Sequence, residues 1–215
     1  MFTGIVQSVA TVFSVNTKNN LAKFVIEVEK QQAQALELGA SIAINGVCLT
    51  VVQSDQIDDD RYHLQFDVID ETLRVTNLAE IKARDAVNFE RSLKVGDEVG
   101  GHYLSGHIHV QAALTSIVQT PENTCLEFQL DNEKNGDFSQ YLFDKGFIAI
   151  NGTSLTLGIV EENKFKVHLI PETLSRTNLG DLQLTDNVNI EFDQQTMTIV
   201  KTIERMNLQN RMSVS

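Results

Sequence analysis

The stretch Gly39–Val52, GASIAINGVCLTVV, returns as Lys145–Val160, KGFIAINGTSLTLGIV. A chain that carries one segment twice folds as two copies of one unit. Asn45, Gly46, Cys48 and Thr50 of the first copy are answered by Asn151, Gly152, Ser154 and Thr156 of the second. IDETLRVTNL from Ile69 is matched by IPETLSRTNL from Ile170, and Asp85, Val87, Asn88 and Glu90 by Asp186, Val188, Asn189 and Glu191. The opening TGIVQ from Thr3 has a weaker echo in SGHIH from Ser105. The pairs keep one order, so each module is a single unit of about 95 residues. The expected boundaries are 1–96 and 97–194 for the modules and 195–215 for a tail.

Within each module, short runs of period two alternate with Gly, Asn and Asp: Leu21–Glu29, Ser41–Leu49, Tyr62–Ile69, Ala86–Phe89, then Ile108–Val118 to Val188–Phe192. Met1–Val15 reads as a further strand and Lys30–Leu38 as a short helical turn. No long helix is interposed, which predicts an all-β fold of two small antiparallel barrels, a closed form that hides strand edges. Asn45-Gly46 and Asn151-Gly152 favour tight turns. After Gln194 the period becomes helical, with Met197, Val200, Ile203 and Met206 in one stripe. That stripe must cover its own barrel or another subunit.

The formal charge of -12, with no cluster of Lys or Arg, argues against nucleic acid and against an anionic membrane surface. No leader of charged-then-apolar character opens the chain, and no run approaches the ~20 residues that span a bilayer. Cys48 and Cys125 occupy unrelated positions in the two modules, so the expectation is a reduced, cytoplasmic protein without a disulfide framework.

Cys48 reads either as a small core residue or as part of a polar patch with Ser41 and Thr50, answered by Ser154 and Thr156. Such groups, facing inward from strands, suit a flat heterocycle. His102, His107 and His109 crowd one segment, yet no matching carboxylates or second histidine set accompany them, so no metal is expected. His102, after Gly100-Gly101, is the better candidate for proton transfer, with an ordinary surface histidine as the alternative. Thr72 and Thr173 read as helix caps, Arg74 as an ion-pair partner, and Lys145 as a lone cation able to pin a carbonyl.

MFTGIV, NGVCLT, GGHYLSGH, KGFIAINGTSLT and HLIPETLSRTNLG together resemble the riboflavin synthase alpha-chain family over essentially the whole chain. The resemblance implies two six-stranded Greek-key barrels in tandem, with a C-terminal helix that joins a homotrimer. It implies dismutation of two molecules of 6,7-dimethyl-8-ribityllumazine per active site, one giving a four-carbon unit to the other. The products are riboflavin and 5-amino-6-(D-ribitylamino)uracil, and no cofactor is needed. Association with lumazine synthase is a further implied partnership. The alternative within the same fold is an antenna protein that binds a lumazine or flavin without chemistry.

Carried over from the family, a first pocket comprises Gly4, Ile5, Val6, Ser41, Cys48, Leu49, Thr50, Asp67, Val68, Ile69, Asp70, Glu71, Thr72, Gly101, His102 and Tyr103. A second comprises Lys145, Ser154, Leu155, Thr156, His168, Leu169, Ile170, Pro171, Glu172 and Thr173. Cys48, His102, Ser41 and Asp193 form the implied catalytic set. Cys48, or a water it orients, would activate C7 of the donor ring, and His102 would move a proton at the C7 methyl group. Val47 and Asn151 stand where relatives have Cys and Asp.

Overall fold

Residues 1–18, 21–130 and 137–212 are described by the structure, a computed structural model. The last three residues of the expected tail lie outside the described residues. The first barrel is built from β1 (Ser8–Lys18), β2 (Leu21–Glu29), β3 (Ser41–Ile44), β4 (Val47–Gln56), β5 (Arg61–Ile69) and β6 (Ala86–Arg91). Its closed order is β1-β2-β5-β4-β3-β6, every pair antiparallel. The helical turn α1 (Lys30–Ala33) follows β2, and α2 (Asp70–Val75) follows β5.

The second barrel repeats this plan with β7 (Val110–Gln119), β8 (Thr124–Leu130), β9 (Phe147–Ile150), β10 (Thr153–Glu161), β11 (Lys164–Leu169) and β12 (Asn187–Phe192). Helix α3 (Pro171–Arg176) is the counterpart of α2, and α4 (Gln194–Met212) ends the described chain. Both barrels carry register shifts at equivalent places, Val12/Ser14 and Leu114/Ser116. Such bulges sharpen the twist that closing six strands requires.

Alternation decides which side chains fill each barrel. Val47, Leu49 and Val51 of β4 point inward with Phe24, Phe66 and Phe89, whereas Cys48 and Thr50 point out. Leu157, Phe128, Phe165 and Phe192 fill the second barrel in the same way. Each such residue contributes about 1.5–3 kcal/mol by leaving water. A small barrel filled by its own side chains has no room for a heterocycle, so the expectation of inward-facing polar groups is overturned. Ser41, Cys48, Thr50, Ser154 and Thr156 belong to the outer faces.

The two Asn-Gly turns meet each other at the junction of the barrels. Asn45 and Asn151 have φ of 45° each, Gly46 and Gly152 φ of 80° and 78°, so both central positions are left-handed as a tight hairpin demands. A Cβ on Gly46 would lie 2.6 Å from the Gly152 nitrogen. Around them six asparagines form a pseudo-symmetric network. Asn45 Oδ1 accepts from Asn88 N and Asn178 Nδ2, and Asn151 Oδ1 accepts from Asn189 N and Asn77 Nδ2. Asn88 Nδ2 donates to the Asn151 carbonyl and Asn189 Nδ2 to the Asn45 carbonyl, both over 2.9 Å. Buried amides bonded to one another in this way fix one docking geometry, because slipping any pair strands several polar groups.

Three local expectations change. Residues before Ser8 are not part of β1; Phe2 instead forms a lone bridge to Leu104. Thr72 and Thr173 sit inside α2 and α3, their carbonyls accepting from Thr76 and Thr177. Thr76 and Thr177 are the caps, accepting from the Leu78 and Leu179 nitrogens that open the next turns. The stripe on α4 divides as well: Met197 is buried in the second barrel with Val200 packed against it, whereas Ile203 and Met206 are exposed.

Candidate functional site on the outer barrel faces

Two short straps cross between the barrels. The first is Phe2–Gly4 and the second Leu104–Gly106; Phe2 N donates to the Leu104 carbonyl over 2.8 Å and Leu104 N to the Phe2 carbonyl over 3.0 Å. Phe2, Leu104, Ala43 and Ala149 make a small apolar cluster of their own, with Cys48 against it. Beyond this pairing each strap runs onto the opposite barrel. Ser154 N of β10 donates to the Gly4 carbonyl, and Cys48 N of β4 donates to the Gly106 carbonyl, each over 2.8 Å. The approach is close enough that a Cβ on Gly4 would lie 2.5 Å from Ser154 Cβ, and one on Gly106 2.5 Å from Cys48 Cβ.

His102 belongs with the second barrel. Its Nδ1 lies 2.6 Å from Ser154 Oγ, and its ring stacks on Phe147 with centroids 5.0 Å apart. Nε2 is buried and has no hydrogen-bond partner among the described residues. Burial holds the imidazole below its usual range, with the Asp193 carboxylate acting in the other direction. Gly101 lets this happen, since a Cβ there would collide with the Thr3 carbonyl at 2.2 Å and with Ser154 at 2.7 Å. Around His102 the outer face carries exposed Thr156, Phe147, His168 and Ile170, with half-buried Gly158 against the His168 ring. His168 Nδ1 pairs with Asn123 Nδ2 at 3.0 Å.

Cys48 marks the outer face of the first barrel. The ladder sets Ser41 opposite Thr50 and Ala43 opposite Cys48, so Ser41, Cys48 and Thr50 share one face. Asp67 and Ile69 are exposed on neighbouring β5. Gly4 and Gly101-His102, expected in this pocket, pack on Ser154 instead. Within the chain, the residues at Cys48 are Gly106 and Phe2.

The remaining expected residues fall into three groups. Val6, Leu49, Val68 and Leu169 are buried, and Leu155 is packed against the second core. Ile5, Asp70, Tyr103, Lys145, Ile170 and Pro171 are exposed, with Thr72 and Thr173 half-buried. Glu71 pairs with Arg74, and Glu172 with Arg176. Lys145 holds a left-handed turn, φ 66°, at the place where the first barrel has Gly39. Its N–H donates to the Leu157 carbonyl as that of Gly39 donates to Val51. Asp193 caps α4, Oδ2 accepting from Thr196 N and Oγ1 at 2.8 Å.

Phe2, Leu104, Gly106 and Phe147 were missed as site residues. So were Glu90 and Glu191, although the repeat had paired them. Among the described residues no group of three or more His, Cys, Asp or Glu could hold a metal ion, and no helix is long and apolar enough to cross a membrane.

The Lumazine binding domain model matches residues 3–92 and again 105–193. Riboflavin synthase of Escherichia coli (strain K12) is 45% identical over 206 residues, 96% of this chain and 93% of that protein. Riboflavin synthase of Chlamydia pneumoniae is 40% identical over 206 residues, 96% of each. Among solved structures, LumP complexed with 6,7-dimethyl-8-(1'-D-ribityl) lumazine aligns with a TM-score of 0.76 at 23% identity, covering 89% of this chain and 99% of that one. LumP complexed with riboflavin aligns at 0.78 and 24% identity, with the same coverage. Those two share the fold. The double domain match and the identity along almost the full length decide the matter: this chain belongs to the riboflavin synthase family of tandem lumazine-binding barrels.

Proposed function

We propose that the chain is an enzyme that dismutates 6,7-dimethyl-8-ribityllumazine, forming riboflavin and 5-amino-6-(D-ribitylamino)uracil by moving a four-carbon unit between two substrate molecules, a transferase reaction. One observation carries the reading: two outer faces of common ancestry bear different chemistry, a thiol at Cys48 and an imidazole–hydroxyl pair at His102 and Ser154. Two identical rings need two similar platforms, and donor and acceptor roles need those platforms to differ. The reaction balances in atoms and electrons, since what one ring loses the other gains.

For His102 to take a proton at Nε2, its Nδ1–H must donate to Ser154 Oγ, which leaves the Nε2 lone pair free. The neutral form that burial favours is the form a base requires. Nε2 is buried, so a ring laid on the second barrel would have to open access to it before such a base could withdraw a proton from the C7 methyl group. Cys48, or a water it orients, would act at C7 of the donor ring, with Ser41 and Thr50 beside it. A lysine held at a left-handed position costs about 1 kcal/mol relative to glycine, which supports a working role for the Lys145 amine at a ring carbonyl. Asp193 would act on His102 through its field.

Both faces look outward from their barrels, so each needs a cover from outside. The exposed Ile199, Ile203 and Met206 of α4 offer an apolar face for subunit association, and in this reading the assembly is a homotrimer in which one subunit's first barrel meets a neighbour's second. Holding two rings in register there would supply much of the rate, up to ~7–11 kcal/mol. We take 1–96, 97–194 and 195–215 as the working units, a cytoplasmic location, and association with lumazine synthase as part of the same reading. Purified protein incubated with 6,7-dimethyl-8-ribityllumazine alone should form one riboflavin for every two substrates consumed. Tight binding without product would select the antenna reading.

A further inference from the structure

We propose that Glu90 and Glu191 are positioning residues of this reaction, each setting the reactive face of the opposite barrel through a strap. The proposal rests on the catalytic reading above. Glu90, on β6, is 4% exposed, and Glu191, on β12, is 2% exposed. Glu90 Oε1 accepts from Thr3 N at 2.7 Å and Thr3 Oγ1 at 2.9 Å, and its Oε2 from Gly4 N at 3.2 Å. Glu191 Oε1 accepts from Ser105 N and Oγ, both at 2.7 Å, and its Oε2 from Gly106 N at 3.0 Å. The two constellations are copies, and every donor in them is on a strap.

What each strap does next makes the arrangement functional. The Gly4 carbonyl accepts the Ser154 N–H, and Ser154 Oγ meets His102 Nδ1. Glu90 of the first barrel therefore governs the imidazole on the second. The Gly106 carbonyl accepts the Cys48 N–H. Glu191 of the second barrel therefore governs the thiol on the first. Burying a carboxylate is expensive, and here the compensation comes from backbone N–H and hydroxyl donors. The side chain must also be a carboxylate. It offers acceptors on both oxygens, whereas a glutamine would turn an NH₂ group toward Gly4 N or Gly106 N. Burial pushes both carboxyls up, and the strap donors pull them back down.

The test uses the full chain as Glu90→Gln and Glu191→Gln, with readouts that do not depend on turnover. One is the rate at which iodoacetamide alkylates Cys48, followed by peptide mass spectrometry with Cys125 as internal reference. The other is the NMR titration of the His102 ring. Glu191→Gln should raise the Cys48 rate relative to Cys125 by about tenfold, the scale of a lost charged hydrogen bond, and leave the His102 titration in place. Glu90→Gln should move the His102 titration toward that of a free imidazole and leave the Cys48 rate alone. Each should lower kcat more than it raises KM.

Equal movement of both readouts in both variants would show general loosening and overturn the proposal, as would no movement in either. If the Gln variants do not fold, Thr3→Val and Ser105→Ala each delete one hydroxyl donor, and the same crossed pattern is expected of them. A wild-type chain that forms no riboflavin, together with variants that show the crossed pattern, would refute the catalytic reading while leaving the wiring intact.

Discussion

His102 and Ser154 lie 52 positions apart in the chain, yet Nδ1 and Oγ stand 2.6 Å from each other on the outer face of the second barrel. The ring is clamped from one side by Phe147, and its second nitrogen is buried without a partner among the described residues. An orphaned buried nitrogen carries a cost, and protonating it there would cost more, so the site favours the neutral ring.

That geometry predicts the acid limb of the pH–rate profile. Burial lowers the His102 pKa, so the neutral base persists below the ordinary imidazole value of ~6.5 and is lost as pH falls through the lowered one. The limb of kcat/KM should therefore lie below pH ~6.5 and vanish in His102→Gln. A limb at or above the free value in the wild type would contradict a base held in this pocket.

Cys48→Ser should lower kcat by about tenfold or more, near 1.4 kcal/mol of transition-state stabilisation, with a smaller change in KM. Cys125 lies on β8 opposite His168 and Val118, away from the straps. Cys125→Ser should leave both constants within a factor of about two, the range of an ordinary surface change. Steady-state kinetics on the pair decides the matter. Equal behaviour of the two variants would make Cys48 a packing residue.

Acid stability should depend on His109. Its pKa is lowered to about 4, first by burial and then by Lys201 and His107, while its Nδ1 accepts from Phe192 N over 3.2 Å. The folded value lies below the unfolded one, so this stability is present above pH ~6.5 and is lost as pH falls toward 4. The effect is on the order of 3 kcal/mol at most. Glu90 and Glu191 act in the opposite sense at low pH, because their carboxyls are shifted up. In the first barrel the same acceptor position is held by Gln7, whose Oε1 receives Arg91 N over 3.2 Å. His109→Gln should therefore keep the bond and flatten the decline in urea-unfolding free energy between pH 6.5 and 4. An unchanged slope would remove His109 from the account.

The repeat made the two modules legible, because matched segments in one order admit no other folding unit, and period two gave the strands. Alternation alone separates two faces of a strand without saying which one a ligand sees. Ser41, Cys48 and Thr50 were correctly grouped and wrongly turned inward, for the valines and leucines between them already fill the barrel. The crossing of the straps was hidden for a different reason. The straps at Gly4 and Gly106 are near copies, and so are their seats at Ser154 and Cys48. Local chemistry fits either pairing, and only the three-dimensional junction chooses. Glu90 and Glu191 were visible as a repeated pair, but a lone Glu at the end of a strand reads as solvated until its burial is known. Thr76 and Thr177 were overlooked as caps because Thr72 and Thr173 stand beside acidic residues that mimic a helix start.

Assembly should depend on one part of α4 and not on the other. Met197 is 3% exposed and Val200 packs on the same core, so cutting the chain at Met197 would damage the second barrel itself. Ile199, Ile203 and Met206 are 60%, 53% and 57% exposed, apolar surface that stays uncovered among the described residues. Burying each on a neighbour would contribute about 1.5–3 kcal/mol, enough in combination to hold subunits together. The informative variant is therefore Ile203→Glu with Met206→Glu, which charges the free face and spares the docked one. Sedimentation should show a monomer, and circular dichroism should show both barrels intact. Turnover should fall sharply at low protein concentration, because the face at Cys48 and the face at His102 would no longer find a neighbour's complement. Riboflavin binding should survive in weakened form, since each outer face and its strap persist in the single chain but lose their cover. A folded monomer that still forms riboflavin at the wild-type rate would place both substrates on one subunit and refute the inter-subunit arrangement, whatever the family.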